Sequence, residues 1–426
     1  MKVDYGKTGL NIKLNSNWNV EILYPKEQNE LQNPVEKIRN AIKNPIGIPS
    51  LIEIIKKKRI QKIGRVCIVV SDATRPVPSK FILKGLIKEL NSYGIDNRRI
   101  TILIATGLHR KSREDELNRI LGRKLKDRVK IIDHDAKDEG MLKKVRKTSD
   151  NIPIFINKHY LESDIKILTG YVEPHFFFGF SGGRKSIVPG IAGEKTIRRN
   201  HSAKNISSEF ARFGVYKDNP MHIMALEVAK KVGVDFIINV CINENHNITK
   251  ISAGHLEKVH QKLVNYQLDK IFANISEPYD IVICGNGGYP LDLNLYQAVK
   301  GMAIGEMAVK EGGTIISVNE LSDGIGQESF KDLLFSGENP ENLHRKIINK
   351  EIETPDQWEI QILTRILKKA DIYVISSLNE ESLGNIGLKY SESVEEAIRN
   401  AQKKYGENAR ILILPHGPQI LPKLKR

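Results

Sequence analysis

The chain has 426 residues, of which 40% are hydrophobic, 27% charged and 6% aromatic, with a formal net charge of +15. That length supports two or three domains, each able to bury its own core, and no apolar run approaches the roughly 20 residues of a membrane span. The positive charge is spread along the chain and mixed with Asp and Glu, and its denser runs (residues 56–59 and 423–426) are short. This argues against a nucleic-acid face and for attraction of small anions.

In chain order, the opening Met1-Lys2-Val3-Asp4 lacks the blocks of a secretory signal, and residues 5–23 read as a small antiparallel hairpin. Strand-length apolar runs follow at 65–70, 100–105, 129–132, 165–169, 235–241, 280–284, 314–318, 372–376 and 410–414. Most are continuous rather than alternating, as expected of strands buried on both faces. Helical stretches fall between them at 79–93, 219–232, 256–273, 292–310, 339–350, 356–369 and 393–404, several opened by a capping Ser, Asn or Asp. Cys67, Cys241 and Cys284 all lie in apolar runs and read as small buried hydrophobes in a reducing cytoplasm. The alternation predicts an α/β protein with largely parallel sheets. The pattern restarts after Asn274-Ile275-Ser276-Glu277-Pro278, so we expect an N-terminal domain over 1–275 and a C-terminal domain over 276–426.

Polar clusters sit at the carboxyl ends of four predicted strands, where open α/β sheets bind ligands. They are Ser71-Asp72-Ala73-Thr74-Arg75-Pro76, Thr106-Gly107-Leu108-His109, Gly170-Tyr171-Val172-Glu173-Pro174-His175, and Gly285-Asn286-Gly287-Gly288 before a helix with Tyr296, Gln297 and Lys300. The third runs on into Ser181-Gly182-Gly183-Arg184-Lys185 and Asn200-His201, placing an amine and a further imidazole on turn-forming backbone. Imidazoles move protons or bind metal near neutral pH, and a lysine amine can bond covalently to a cofactor. No dinucleotide-binding glycine fingerprint follows residue 70, and Arg184 occupies the position of the second P-loop glycine. No Cys-x-x-Cys or His-Glu-x-x-His pattern marks a zinc site.

Together these motifs, with Tyr296-Gln297-x-x-Lys300, resemble the nickel-pincer lactate racemase family across roughly residues 5–420. The resemblance implies two α/β domains with an active-site cleft between them, and a pyridinium mononucleotide whose two sulfur-bearing arms clamp nickel. It implies Lys185 as the covalent anchor of that cofactor and His201 as the protein ligand to nickel, an imidazole donor suited to square-planar Ni(II). His109 and His175 become the acid/base pair. Arg75, Gln297 and Lys300 hold the substrate carboxylate, with Tyr296 in the same motif, and Asp72 orients Arg75 or contacts the cofactor. Trp358 stands where the family has a tryptophan bordering the pocket, and equally reads as a packed helix residue. The implied activity is L/D-lactate interconversion by reversible hydride transfer through a pyruvate-like intermediate, with the cofactor's biosynthetic proteins as partners. Two readings stay open beside it: a racemase or epimerase of another 2-hydroxyacid with the same cofactor, and a non-catalytic cofactor-binding protein.

Overall fold

The structure, a computed structural model, describes residues 1–60 and 64–425. Arg426, which ends the second basic run, lies outside the described residues. In chain order the strands of the two main sheets are β1 (Asn19–Ile22), β2 (Val66–Ser71), β3 (Ile100–Ala105), β4 (Lys130–Asp133), β5 (Ile165–Tyr171), β6 (Phe236–Ile242), β7 (Ile248–Gly254), β8 (Tyr279–Cys284), β9 (Val309–Val318), β10 (Asp371–Ile375), β11 (Leu388–Tyr390) and β12 (Arg410–Leu414).

The chain divides into two compact units. The inner unit, Gln28–Leu268, carries a sheet of order β7-β6-β5-β2-β3-β4, parallel except for β7, which runs antiparallel to β6. The outer unit joins residues 1–27 to the chain from Asp269 onward, around an all-parallel sheet of order β11-β10-β9-β8-β12-β1. The central strands are β-branched runs such as Val-Cys-Ile-Val-Val in β2, buried on both faces. Helices cover them with apolar stripes; Ser79–Ser92 buries Ile82, Leu83, Leu86, Ile87 and Leu90 at helical spacing, each worth about 1.5–3 kcal/mol of transfer free energy. The three cysteines are buried in β2, β6 and β8. Among the described residues no helix is long and apolar enough to cross a membrane.

Each sheet has a point where strand order reverses. In the inner unit the chain steps from β2 out to β3 and β4, then returns to place β5 on the other side of β2. In the outer unit it steps from β8 to β9, β10 and β11, then returns to place β12 against the free side of β8. Such reversals leave a crevice at the strands' carboxyl ends. The outer one is filled by backbone: a Cβ at Gly417 would lie 2.5 Å from the Gly287 nitrogen and 2.8 Å from the Gly285 oxygen. The inner one is flanked by polar side chains.

Several elements differ from expectation. The hairpin expected over 5–23 is instead a short antiparallel pair, Lys2–Val3 with Leu10–Asn11, and β1 adds to β12 in parallel. That pairing carries the first 27 residues into the outer unit, although they were expected in the N-terminal domain. The antiparallel strands Leu142–Lys147 and Pro153–Asn157, and the edge strand β7, were not anticipated. Polar and lysine-rich stretches hide them from hydrophobic periodicity. The helix expected over 292–310 spans Leu295–Glu306, and β9 begins at Val309.

Candidate active site

Strand β2 delivers Asp72 and Arg75, β3 delivers His109, and β5 delivers Glu173 and His175. Asp72 is 7% exposed and accepts from Nδ1 of His109 at 2.7 Å and from Thr74 Oγ1 at 2.9 Å. Burial raises the Asp72 pKa, but His109, Arg75 and the Thr74 hydroxyl outweigh it and hold the carboxyl below its ordinary value. A carboxylate on Nδ1 leaves Nε2 of His109 as its acid/base atom, the logic of a base oriented by a third group. Asp72 was expected to orient Arg75 or contact the cofactor; its charge does act on Arg75, and its shortest side-chain contact is to His109.

Arg75 Nη1 stands 3.6 Å from Glu173 Oε1. Tyr171, buried at the end of β5, donates its hydroxyl to the same carboxylate oxygen. Burial works against the Arg75 charge and is outweighed by Tyr171, Glu173 and Asp72, so its pKa is raised. Burial and then Glu173 push the Tyr171 phenol well above its ordinary value, keeping it a donor. The sequence motif contained both Glu173 and Tyr171 but gave neither a task.

Three further predicted residues gather on one aromatic side chain. Phe178 has the Lys185 Nζ 4.4 Å above its ring, with the His175 and His201 rings at 5.8 and 5.7 Å. Lys185 lies in a short 3-10 turn, Gly183–Ser186, entered through Gly182 at φ 76°. A Cβ on Gly182 would lie 2.8 Å from the Tyr171 oxygen, so both conformation and space demand glycine. Arg184 is 1% exposed and pins the turn by donating to the carbonyls of Ser181, Gly182 and Phe178 at 3.3, 3.1 and 3.1 Å.

His201 caps the C-terminus of the helix Glu194–Asn200, and its Nδ1 donates to the Ile197 carbonyl at 3.1 Å. The Ile197 carbonyl, which also accepts from the His201 backbone amide, thus holds the proton of the neutral ring on Nδ1 and leaves the lone pair on Nε2. Burial first, then Lys185, lowers its pKa to about 3, so the ring is neutral at physiological pH. A neutral imidazole with its other nitrogen anchored is a competent metal ligand. Among the described residues no group of three or more His, Cys, Asp or Glu could hold a metal ion, so a metal on His201 would take its other donors from elsewhere.

In the outer unit, the helix Leu295–Glu306 opens at Asn294, whose Oδ1 accepts from the Gln297 amide at 3.0 Å. Lys300 donates to Gln297 Oε1. Trp358 Nε1 donates to the Tyr296 hydroxyl at 2.9 Å, which donates to Asp356 Oδ1 at 3.1 Å. Burial, then Asp356, raises the Tyr296 pKa well above its ordinary value. Trp358, 5% exposed, therefore holds Tyr296 while packing in the core, and Asp356 is a partner that sequence reading did not find.

Residues 5–214 match the family described as the lactate racemase N-terminal domain, and residues 275–421 the lactate racemase C-terminal domain. A lactate racemase from Thermoanaerobacterium thermosaccharolyticum is 35% identical over 430 residues, covering 100% of this chain and 99% of that protein. One from Lactiplantibacillus plantarum is 38% identical over 392 residues, covering 91% of each. The solved lactate racemase apoprotein from Thermoanaerobacterium thermosaccharolyticum superposes with a TM-score of 0.90 at 34% identity over 99% of both chains. A Thermotoga maritima protein structure reaches 0.68 at 19% identity, covering 94% of this chain and 100% of that one, a likeness of fold alone.

Proposed function

The chain belongs to the lactate racemase family and is an isomerase of the racemase type, and on that premise we propose that it interconverts L- and D-lactate by reversible hydride transfer, using a nickel-pincer nucleotide anchored on Lys185. The observation that supports this most is the shared neighbourhood of Phe178, where an amine, a neutral imidazole and His175 meet. Lys185 would carry the covalent link and His201 Nε2 would ligate the nickel. When bound, this cofactor supplies the hydride acceptor.

The remaining chemistry belongs to the chain's own residues. The Cα–H of lactate is too weakly acidic for an imidazole to ionise, whereas its loss as hydride becomes favourable as the hydroxyl proton leaves. His109, with Nδ1 held by Asp72, takes or returns that proton at Nε2. His175 serves the opposite face, since the two enantiomers present their hydroxyls to different sides. Arg75 grips the substrate carboxylate, bidentately where geometry allows, and the Tyr171–Glu173 pair restrains it. A fixed carboxylate keeps the planar pyruvate-like species in place until hydride returns to either face. Buried Phe176, Phe177 and Phe178 exclude water, which strengthens each polar contact. The roles proposed for Tyr296, Gln297, Lys300 and Trp358 are substrate contacts.

The test is protein co-produced with the cofactor's biosynthetic enzymes, analysed by denatured intact mass and peptide mapping, then supplied with pure L-lactate. We expect a mononucleotide-sized adduct on Lys185 and conversion toward equal L and D by chiral chromatography. An unmodified chain beside active biosynthetic enzymes overturns the cofactor assignment. A loaded chain that leaves lactate untouched and racemises another 2-hydroxyacid overturns the substrate.

A further inference from the structure

We infer that the two histidines proposed for proton transfer are held in opposite tautomers, His109 with its proton on Nδ1 and His175 with its proton on Nε2. The two rings rest on opposite kinds of partner. His109 Nδ1 lies 2.7 Å from a carboxylate oxygen of buried Asp72. A carboxylate has no proton to give at neutral pH, so this nitrogen must be the donor. The Thr74 hydroxyl on the other Asp72 oxygen fixes the carboxylate's orientation.

His175 faces donors instead. It begins the tight hairpin in which Pro174 pairs Phe180 and His175 pairs Gly179. The turn curls its own backbone back onto the ring, so the amides of Phe178 and Phe177 approach Nδ1 at 3.3 and 3.5 Å. A proton on Nδ1 would confront two N–H groups, whereas a lone pair there is stabilised by both, and a neutral ring must then carry its proton on Nε2. Ring reversal is hindered. His175 is 4% exposed and contacts Phe176, Phe177 and Phe178 with centroids at 4.9, 4.6 and 5.8 Å.

The functional meaning rests on the acid/base reading of these residues. With both rings neutral, His109 presents a lone pair at Nε2 and His175 presents an N–H. A hydroxyacid whose hydroxyl meets His109 finds a base ready. Its mirror image meets a donor at His175 and needs the exchanged protonation state. The enzyme is thus prepared at rest for one enantiomer.

The experiment uses the full chain without cofactor, labelled with 15N-histidine and observed by long-range 1H–15N correlation at a pH where both rings are neutral. His109→Gln and His175→Gln identify each ring by the signals they remove. We expect protonated Nδ1 and bare Nε2 for His109, and the reverse for His175. Asp72→Asn should draw the two nitrogen shifts of His109 toward each other while leaving His175 unchanged. Should a Gln variant fail to fold, that selective response to Asp72→Asn identifies His109 unaided. Equal tautomers on the two rings, or a His109 pattern indifferent to Asp72→Asn, would falsify the inference. Because the readout needs neither cofactor nor turnover, its failure is distinct from failure of the racemase reading.

Discussion

Acid should unfold the inner unit before most of its carboxylates titrate. Four of its histidines are held neutral chiefly by burial: His134 with its pKa lowered to about 4, His201 and His222 to about 3, and His260 well below the ordinary value. The causes are physical. His134 accepts from the Asn157 side chain and faces the Ala192 carbonyl, while Arg184 opposes a second positive charge on His222 and His260. A base whose folded pKa is depressed binds fewer protons folded than unfolded. Its contribution is fully present above the unfolded pKa of about 6.5 and is lost as pH falls below it. Each ring then costs about 1.4 kcal/mol per pH unit, so four give about 4–5 kcal/mol per unit just below pH 6. Against a total stability of about 5–15 kcal/mol, that suffices to unfold the unit within a few pH units. Urea unfolding of the cofactor-free chain followed by far-UV circular dichroism between about pH 6.5 and 5.5 measures the slope, in a range above the ordinary carboxylate values. Both tryptophans, Trp18 and Trp358, lie in the outer unit, so their fluorescence separates the two transitions. A slope under about 1.4 kcal/mol per pH unit, less than one proton taken up, would refute the reasoning.

Glu173→Gln keeps the shape of the side chain but removes the charge that restrains Arg75; loss of about 1–2 kcal/mol of positioning should raise KM for the hydroxyacid about 5–30-fold with kcat little changed. Steady-state kinetics of the loaded enzyme decide it, and an unchanged or lower KM sinks the positioning role. Trp358→Phe removes the hydrogen bond to the Tyr296 hydroxyl and should cost about 0.5–1.5 kcal/mol, lowering the outer unit's Tm by about 1–6 °C. Calorimetry showing no shift would mean that the bond contributes nothing to stability.

The α/β architecture with largely parallel sheets was readable because runs such as 66–70, 102–104 and 281–283 are apolar throughout, which two-sided burial in a parallel sheet requires. What escaped reading was pairing at the sheet margins. β1, with its exposed-intermediate alternation in Asn19–Ile22, carries no sign in its own residues that its partner lies at Arg410–Leu414. Strand Leu142–Lys147, Leu-Lys-Lys-Val-Arg-Lys, reads as a solvated charge run because only one face meets the protein. The same limit applies to the site. Polar groups concentrated at strand ends marked where a ligand is expected to approach, because buried strands cannot carry them elsewhere without partners. Partnership itself depends on which strands become neighbours: β2 and β5 are almost a hundred residues apart in sequence yet adjacent in the sheet, and only that adjacency puts Arg75 beside Glu173. The ring nitrogens are further from the sequence still. Two histidines identical as letters acquire opposite partners, a carboxylate for one and backbone amides for the other, because one leaves a strand toward Asp72 and the other sits in a turn that closes on itself. Residue type announces that protons can move here; only the fold assigns which nitrogen gives and which receives.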